Sequence, residues 1–281
     1  MKRLNQFGKS QDKLKRLDLR HARLSHLHWE MDLDRPFDSM VGVLSGLPTI
    51  EECELGLWLQ DRGLVEFHDF FSIKQVEEQH ALFHAIADSC HLAIQSNIPD
   101  EFERLRKQLS QVSREILYLL TLLELEYRQN YRTQNQHLSP IQELIQIFSS
   151  FDHNGLEQDL RLNVSDARLF HMLWIQEEMT ASFKNYGHQV DLSHLEQCDL
   201  GVWIHDVGLT EYAQLEEVHQ LNDTHQSFHE HARVVLGALR HRRFQSADNA
   251  YGKLQSLSRD IIYWLTRVEM RLDDKDMVGP V

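Results

Sequence analysis

ECELGLWLQDRGL, residues 52–64, is answered by QCDLGVWIHDVGL, residues 197–209, and the same offset of 145 residues runs through the rest of the chain. ARLSHLHW (22–29) stands against ARLFHMLW (167–174), and HALFH (80–84) against HQSFH (225–229). Further on, Ser113, Arg114, Ile116, Tyr118, Leu120, Thr121 and Glu124 return without a gap as Ser258, Arg259, Ile261, Tyr263, Leu265, Thr266 and Glu269. The chain is a tandem duplication, and a repeat of this length sets the architecture before any local reading does.

Within each half the periodicity is helical. Leu19, Ala22, His26, Trp29 and Leu33 recur at spacings of three and four, which predicts a helix from Ser10 to Leu33 with His26 on its core side. A loop carrying Pro36, Gly42, Gly46 and Pro48 leads to a short helix from Glu51 to Asp61, closed by Gly63, with Cys53 near its start. Backbone N–H groups there favour a thiolate, and Gly56 leaves room for a neighbouring helix. A third helix runs from Asp69 to Gln95, and a fourth from Pro99 or Asp100 to about Arg132. The second half predicts the same four over 156–183, 195–206, 211–241 and 246–272. With 12 glycines and 5 prolines in 281 residues, the expected fold is all-α, two tandem bundles of four-helix type. The domains are 10–135 and 156–277. The connector, 136–155, has Ser139 as N-cap and Pro140 as first helical residue; it is either a helix docked on its own bundles or an exposed partner-binding helix.

A formal charge of −14 sets the chain against nucleic acid, whose phosphates it repels. The N-terminus is basic but has no apolar core, and the most apolar stretch, Ile116 to Tyr127, is short and broken by glutamate. Neither a secretory signal nor membrane insertion is expected, and a cytoplasmic protein follows. Three cysteines do not make a disulfide framework.

The duplication sorts the polar residues. Of 18 histidines, three pairs alone face another histidine: His26 and His171, His80 and His225, His84 and His229. Cys53 faces Cys198, whereas Cys90 faces Val235 and reads as a small buried hydrophobe. The other histidines read as surface residues. Each half therefore keeps one cysteine and three histidines, a full tetrahedral set for zinc, and two zinc ions per chain are expected. His80 and His84 lie one helical turn apart on one face and can chelate together. Thiolate and imidazole suit zinc better than magnesium or calcium. Four protein ligands leave no open position for an activated water, so no enzyme is expected. Trp29, Trp174, Trp58 and Trp203 read as core aromatics shielding the sites. Glu51, Glu196, Asp61 and Asp206 are either proton acceptors for the ligating imidazoles or helix-end charges.

The sequence of motifs HxxW, CxLGxW, a glycine five residues beyond that tryptophan, and HxxFH resembles the chemoreceptor zinc-binding (CZB) domain of bacterial signalling proteins. The resemblance covers Ser10 to His91 and Leu156 to Leu236. It implies a helical bundle holding zinc through His26, Cys53, His80 and His84, and again through His171, Cys198, His225 and His229. It also implies a sensory or regulatory role toward a chemoreceptor, diguanylate cyclase or kinase, although the chain carries no GG[DE]EF cyclase signature, methyl-accepting hairpin or kinase glycine loop. A variant of this reading is a redox sensor acting through Cys53 and Cys198. A di-iron bundle would use the same HxxxH spacing, but it leaves the cysteines unexplained. The expected species is a monomer whose two bundles meet as an intramolecular pseudo-dimer, with a homodimer as the alternative. Ile116, Leu117 and Leu120, with Ile261, Ile262 and Leu265, are either the shared face of that pair or each bundle's own core.

Overall fold

The computed structural model describes residues 19–31, 37, 48–135, 159–176 and 198–277. Among them the regular structure is helical throughout, with no strand, as the all-α expectation requires. No described helix is long and apolar enough to cross a membrane. The chain divides into two compact units, Met1–Gln136 and His137–Val281. The connector's expected cap at Ser139 and Pro140 and its end at Gly155 lie outside the described residues.

In the first unit, α1 covers 19–31 and α2 covers Glu54–Trp58. The chain then passes through a π-helical turn, Leu59–Gly63, and one further turn, Leu64–Glu66. Two long helices follow, α3 at Phe71–Gln95 and α4 at Pro99–Asn135. The second unit repeats this with α5 (Asp159–Trp174), α6 (Asp199–Trp203, a π turn at Ile204–Gly208, then Leu209–Glu211), α7 (Glu216–Arg240) and α8 (Phe244–Met277).

The sharp reversal between α3 and α4 is made by Asn97 at φ 55°, and between α7 and α8 by Arg242 at φ 53°. In the first turn the Asn97 N–H donates to the Ile94 carbonyl and the Ile98 N–H to the Ala93 carbonyl; Arg242 and Arg243 repeat the pattern to Leu239 and Ala238. These left-handed residues satisfy carbonyls that the end of a helix would otherwise leave bare.

Each unit has its own core. Ile73, Val76, Phe83, Ile116 and Leu120 are fully buried in the first, and Val218, Leu221, Ile261 and Leu265 in the second. The candidates for a face shared between bundles thus include four residues that belong to their own unit's core. A fully buried Phe83 contributes roughly 2–3 kcal/mol by the area it removes from water.

α1 is held to α4 by charge as well as packing. Arg23 Nη1 lies 2.8 Å from Glu124 Oε2, and Arg128 Nη2 lies 2.6 Å from Glu124 Oε1. In the second unit Arg168 Nη2 lies 2.6 Å from Glu269 Oε2, with both side chains wholly buried. Removing one partner of such a pair costs about 3–5 kcal/mol, because the other charge is left stranded. A second link, between α3 and α4, has kept its place while changing its chemistry. Ser72 donates to Glu126 in the first unit, and in the second, at the matching positions, Arg271 donates to Glu217 over 2.9 Å.

Three local expectations need correction. Helix α2 begins at Glu54, not Glu51, because Cys53 is itself the N-cap, its Sγ accepting from the Gly56 N–H. Gly63 and Gly208 do not end their helices; both have right-handed helical φ and ψ, and the chain continues through them. Gly63 is needed for closeness instead, since a Cβ there would stand 2.8 Å from Cζ3 of Trp58. Gly56 makes room for the turn before it, not for another helix: a Cβ would overlap the Ile50 carbonyl and press on the Cys53 sulfur.

Candidate metal centre

Cys53 enters the site because α2 starts on it. The N-terminal turn aims the Gly56 N–H at Sγ over 3.2 Å, which fixes the sulfur against α3. From α3, His80 and His84 project on the same face, one turn apart. Cys53 Sγ lies 3.0 Å from His80 Nε2 and 3.4 Å from His84 Nε2, and the two nitrogens lie 3.2 Å apart. The second unit reproduces the triangle. Cys198 Sγ lies 3.1 Å from His225 Nε2 and 3.3 Å from His229 Nε2, with 3.0 Å between the nitrogens.

Hydrogen bonding does not account for such a triangle. Each Nε2 has one in-plane position, filled by a proton or a lone pair, so it cannot bond two neighbours at once. Here every nitrogen faces both the sulfur and the other nitrogen. A single cation that takes one lone pair from each atom satisfies all three. Tetrahedral coordination with bonds of about 2.0–2.3 Å sets ligand atoms about 3.3–3.6 Å apart, and the observed edges fall short of this by no more than about 0.6 Å. Each unit thus holds a His2Cys group able to take a metal ion.

The third histidine of each set stands beside this group and outside it. His26, on α1, places Nε2 3.1 Å from Ser113 Oγ of α4, and His171 places Nε2 3.1 Å from Ser258 Oγ. Both rings meet the phenylalanine that precedes the last ligand edge-on, His26 with Phe83 and His171 with Phe228, each at 4.7 Å between centroids. His26, Cys53 and His80 nonetheless open onto one cavity of about 300 Å³.

Burial keeps these imidazoles neutral. It pushes His26 down to about 3, with help from the His80 and His84 charges, and His80 down to about 4 with help from His84. His84 is lowered for the same reason. In the second unit burial takes His225 to about 3 and His229 to about 4, and His171 well below its usual value. Lone pairs are therefore available at neutral pH. The cysteine departs from expectation. Burial raises the Cys53 thiol despite the N–H groups of Gly56 and Leu55, so the helix start alone does not make a thiolate. A bound cation would supply what the N–H groups lack.

Trp29 stacks on His84 at 4.7 Å and 29°, and Trp174 meets His229 edge-on at 5.7 Å, so these tryptophans shield the site as expected. Trp58 and Trp203 are buried in the cores. Cys90 is buried in the core as well, its thiol pushed up to about 11 by burial. The unmatched histidines among the described residues, among them His21, His28, His68 and His219, are exposed or half-buried. Glu51, Asp61 and Asp206 lie exposed, and Glu196 lies outside the described residues. The group that does reach an imidazole is a serine. Ser113 and Ser258 stand in the repeated register, yet nothing local marks them as partners of residues 87 positions away.

No family model, curated protein or solved structure matches the chain.

Proposed function

We propose that this chain is a zinc-binding sensory or regulatory protein of the bacterial signalling type, a tandem CZB-like protein that binds two zinc ions and catalyses nothing itself. The observation that carries the reading is the doubled triangle of one sulfur and two Nε2 atoms, because thiolate with imidazole favours zinc over oxygen-seeking cations. His26 and His171 complete each set as the third imidazole. They are buried and neutral, and His26 shares a cavity with Cys53 and His80. A shell closed by four protein ligands suits a structural or sensing ion, and zinc supplies there the charge that holds the thiolate.

Occupancy is the signal in this reading. Ligands on α1, α2 and α3 are drawn to one point, and α1 also bonds α4 through Ser113 and Glu124, so gain or loss of metal shifts how α1 sits on the bundle. The output goes to a cytoplasmic signalling protein such as a chemoreceptor, diguanylate cyclase or kinase. Cys198 is only partly buried, which favours the redox variant at the second site, where oxidation would remove a ligand.

The test is metal content with X-ray absorption on protein purified without chelators. Two zinc ions per chain, each with one sulfur and three nitrogens, are expected. An oxygen-only shell, or one metal per chain, would overturn the proposal.

A further inference from the structure

The two sites have matching ligands and unlike surroundings. Around the first, Glu52 and Glu54 line the cavity onto which Cys53 and His80 open, and Asp88 follows His84 by one turn on the same face of α3. Around the second, the cavity of about 270 Å³ beside His225 and His229 is lined by Glu230 and Arg233, whose charges cancel. Arg233 follows His229 by one turn, so it occupies the place that Asp88 holds in the first unit. At the positions matching Glu52 and Glu54 the sequence has Gln197 and Asp199, so one of those two charges is lost and the other is kept. Burial differs too: Cys53 is buried, and Cys198 is exposed to an intermediate degree.

We propose that the first site, Cys53 with His80 and His84, holds its metal the more tightly, and that the second, Cys198 with His225 and His229, is the one that exchanges metal and so does the sensing. The proposal rests on the metal-binding reading above. Its cause is electrostatic. A unit charge about 8 Å from a divalent cation, in water-like surroundings, changes its affinity roughly fivefold before salt screens it. Three carboxylates at the first site stand against a net single negative charge at the second, where Asp199 is kept and Glu230 and Arg233 cancel, and this difference of two charges places the dissociation constants on the order of tenfold apart or more.

The experiment is a zinc titration of the full chain against a competing chelator, at low and high salt. It is repeated on Cys53→Ala, which leaves the second site, on Cys198→Ala, which leaves the first, and on the exchange pair Asp88→Arg with Arg233→Asp. The wild type should titrate in two steps at least about tenfold apart, with the tighter step surviving in Cys198→Ala. The exchange pair should narrow or reverse the gap, and salt should narrow it. Two equal steps, or a tighter second site, would overturn the inference while leaving two bound zinc ions intact. A gap indifferent to the exchange and to salt would overturn its electrostatic cause. Failure of the wild type to bind zinc at all would remove the metal-binding reading and this inference together.

Discussion

Cys53 shows how much of a site one residue can reveal and how much it hides. The duplication singled it out and matched it to Cys198, but its protonation depends on how deeply α2 sinks against α3, which no window of sequence contains. Burial raises the Cys53 thiol, so zinc binding at the first site should displace a proton from it. Calorimetry of zinc binding in buffers of different ionisation enthalpy should register that release near neutral pH, and a heat independent of the buffer would contradict it. The histidines give a second expectation, for metal-free protein. Their folded pKa values are depressed, from 6.5 to about 3 or 4 for His26, His80, His225 and His229. The unfolded chain therefore binds more protons below about pH 6.5. The stability these neutral imidazoles contribute is fully present above that pH and is lost as pH falls toward 4. Denaturant midpoints of chelator-treated protein should decline over that range; a flat profile would mean the rings are not buried. The serines that meet His26 and His171 were beyond the reach of sequence for a plainer reason. A hydroxyl 87 residues away becomes a partner only when α4 folds back over α1.

At the level of elements, periodicity located the helices and missed what happens at their ends. The ligand face of α3 was legible because His80 and His84 lie one helical turn apart. The π turn after Trp58 was not; it brings Gly63 close against the Trp58 ring, a contact that no local propensity announces. Glycine's meaning thus depends on its neighbours. A Cβ at Gly63 would meet the Trp58 ring at 2.8 Å, backed by the core, whereas a Cβ at Gly252 in α8 meets nothing within 4 Å. Gly63→Ala should therefore destabilise by about 1–3 kcal/mol through overpacking, and Gly252→Ala should stabilise by about 0.5–1 kcal/mol through helix propensity. Thermal melts of the two variants check this directly. Shifts of the same sign would show that the Trp58 contact does not constrain the turn.

For the molecule as a whole, the repeat offset made the architecture readable, since two copies of one pattern imply two cores, and two compact units with separate cores are found. What the offset could not convey is how far the copies have diverged in chemistry around a retained geometry. Where one unit has Ser72 with Glu126 the other has Glu217 with Arg271, a contact present in both with both partners different. The ligand triangles resisted that drift, as they should if metal contributes to folding. An ion bound by the folded unit and not by the unfolded chain adds its binding free energy to stability, by about 4 kcal/mol when free metal stands a thousandfold above the dissociation constant. Removing one ligand should erase much of that gain in its own unit. His84→Ala, in the triangle, should therefore lose more thermal stability in zinc than His91→Ala, whose half-exposed ring bonds Gln95 on the helix surface. Chelator should bring the wild type down toward His84→Ala while moving His84→Ala itself less, its second unit alone responding. If the two variants melt together in zinc, or if chelator leaves the wild type unmoved, metal does not tie these helices together and the triangles need another explanation.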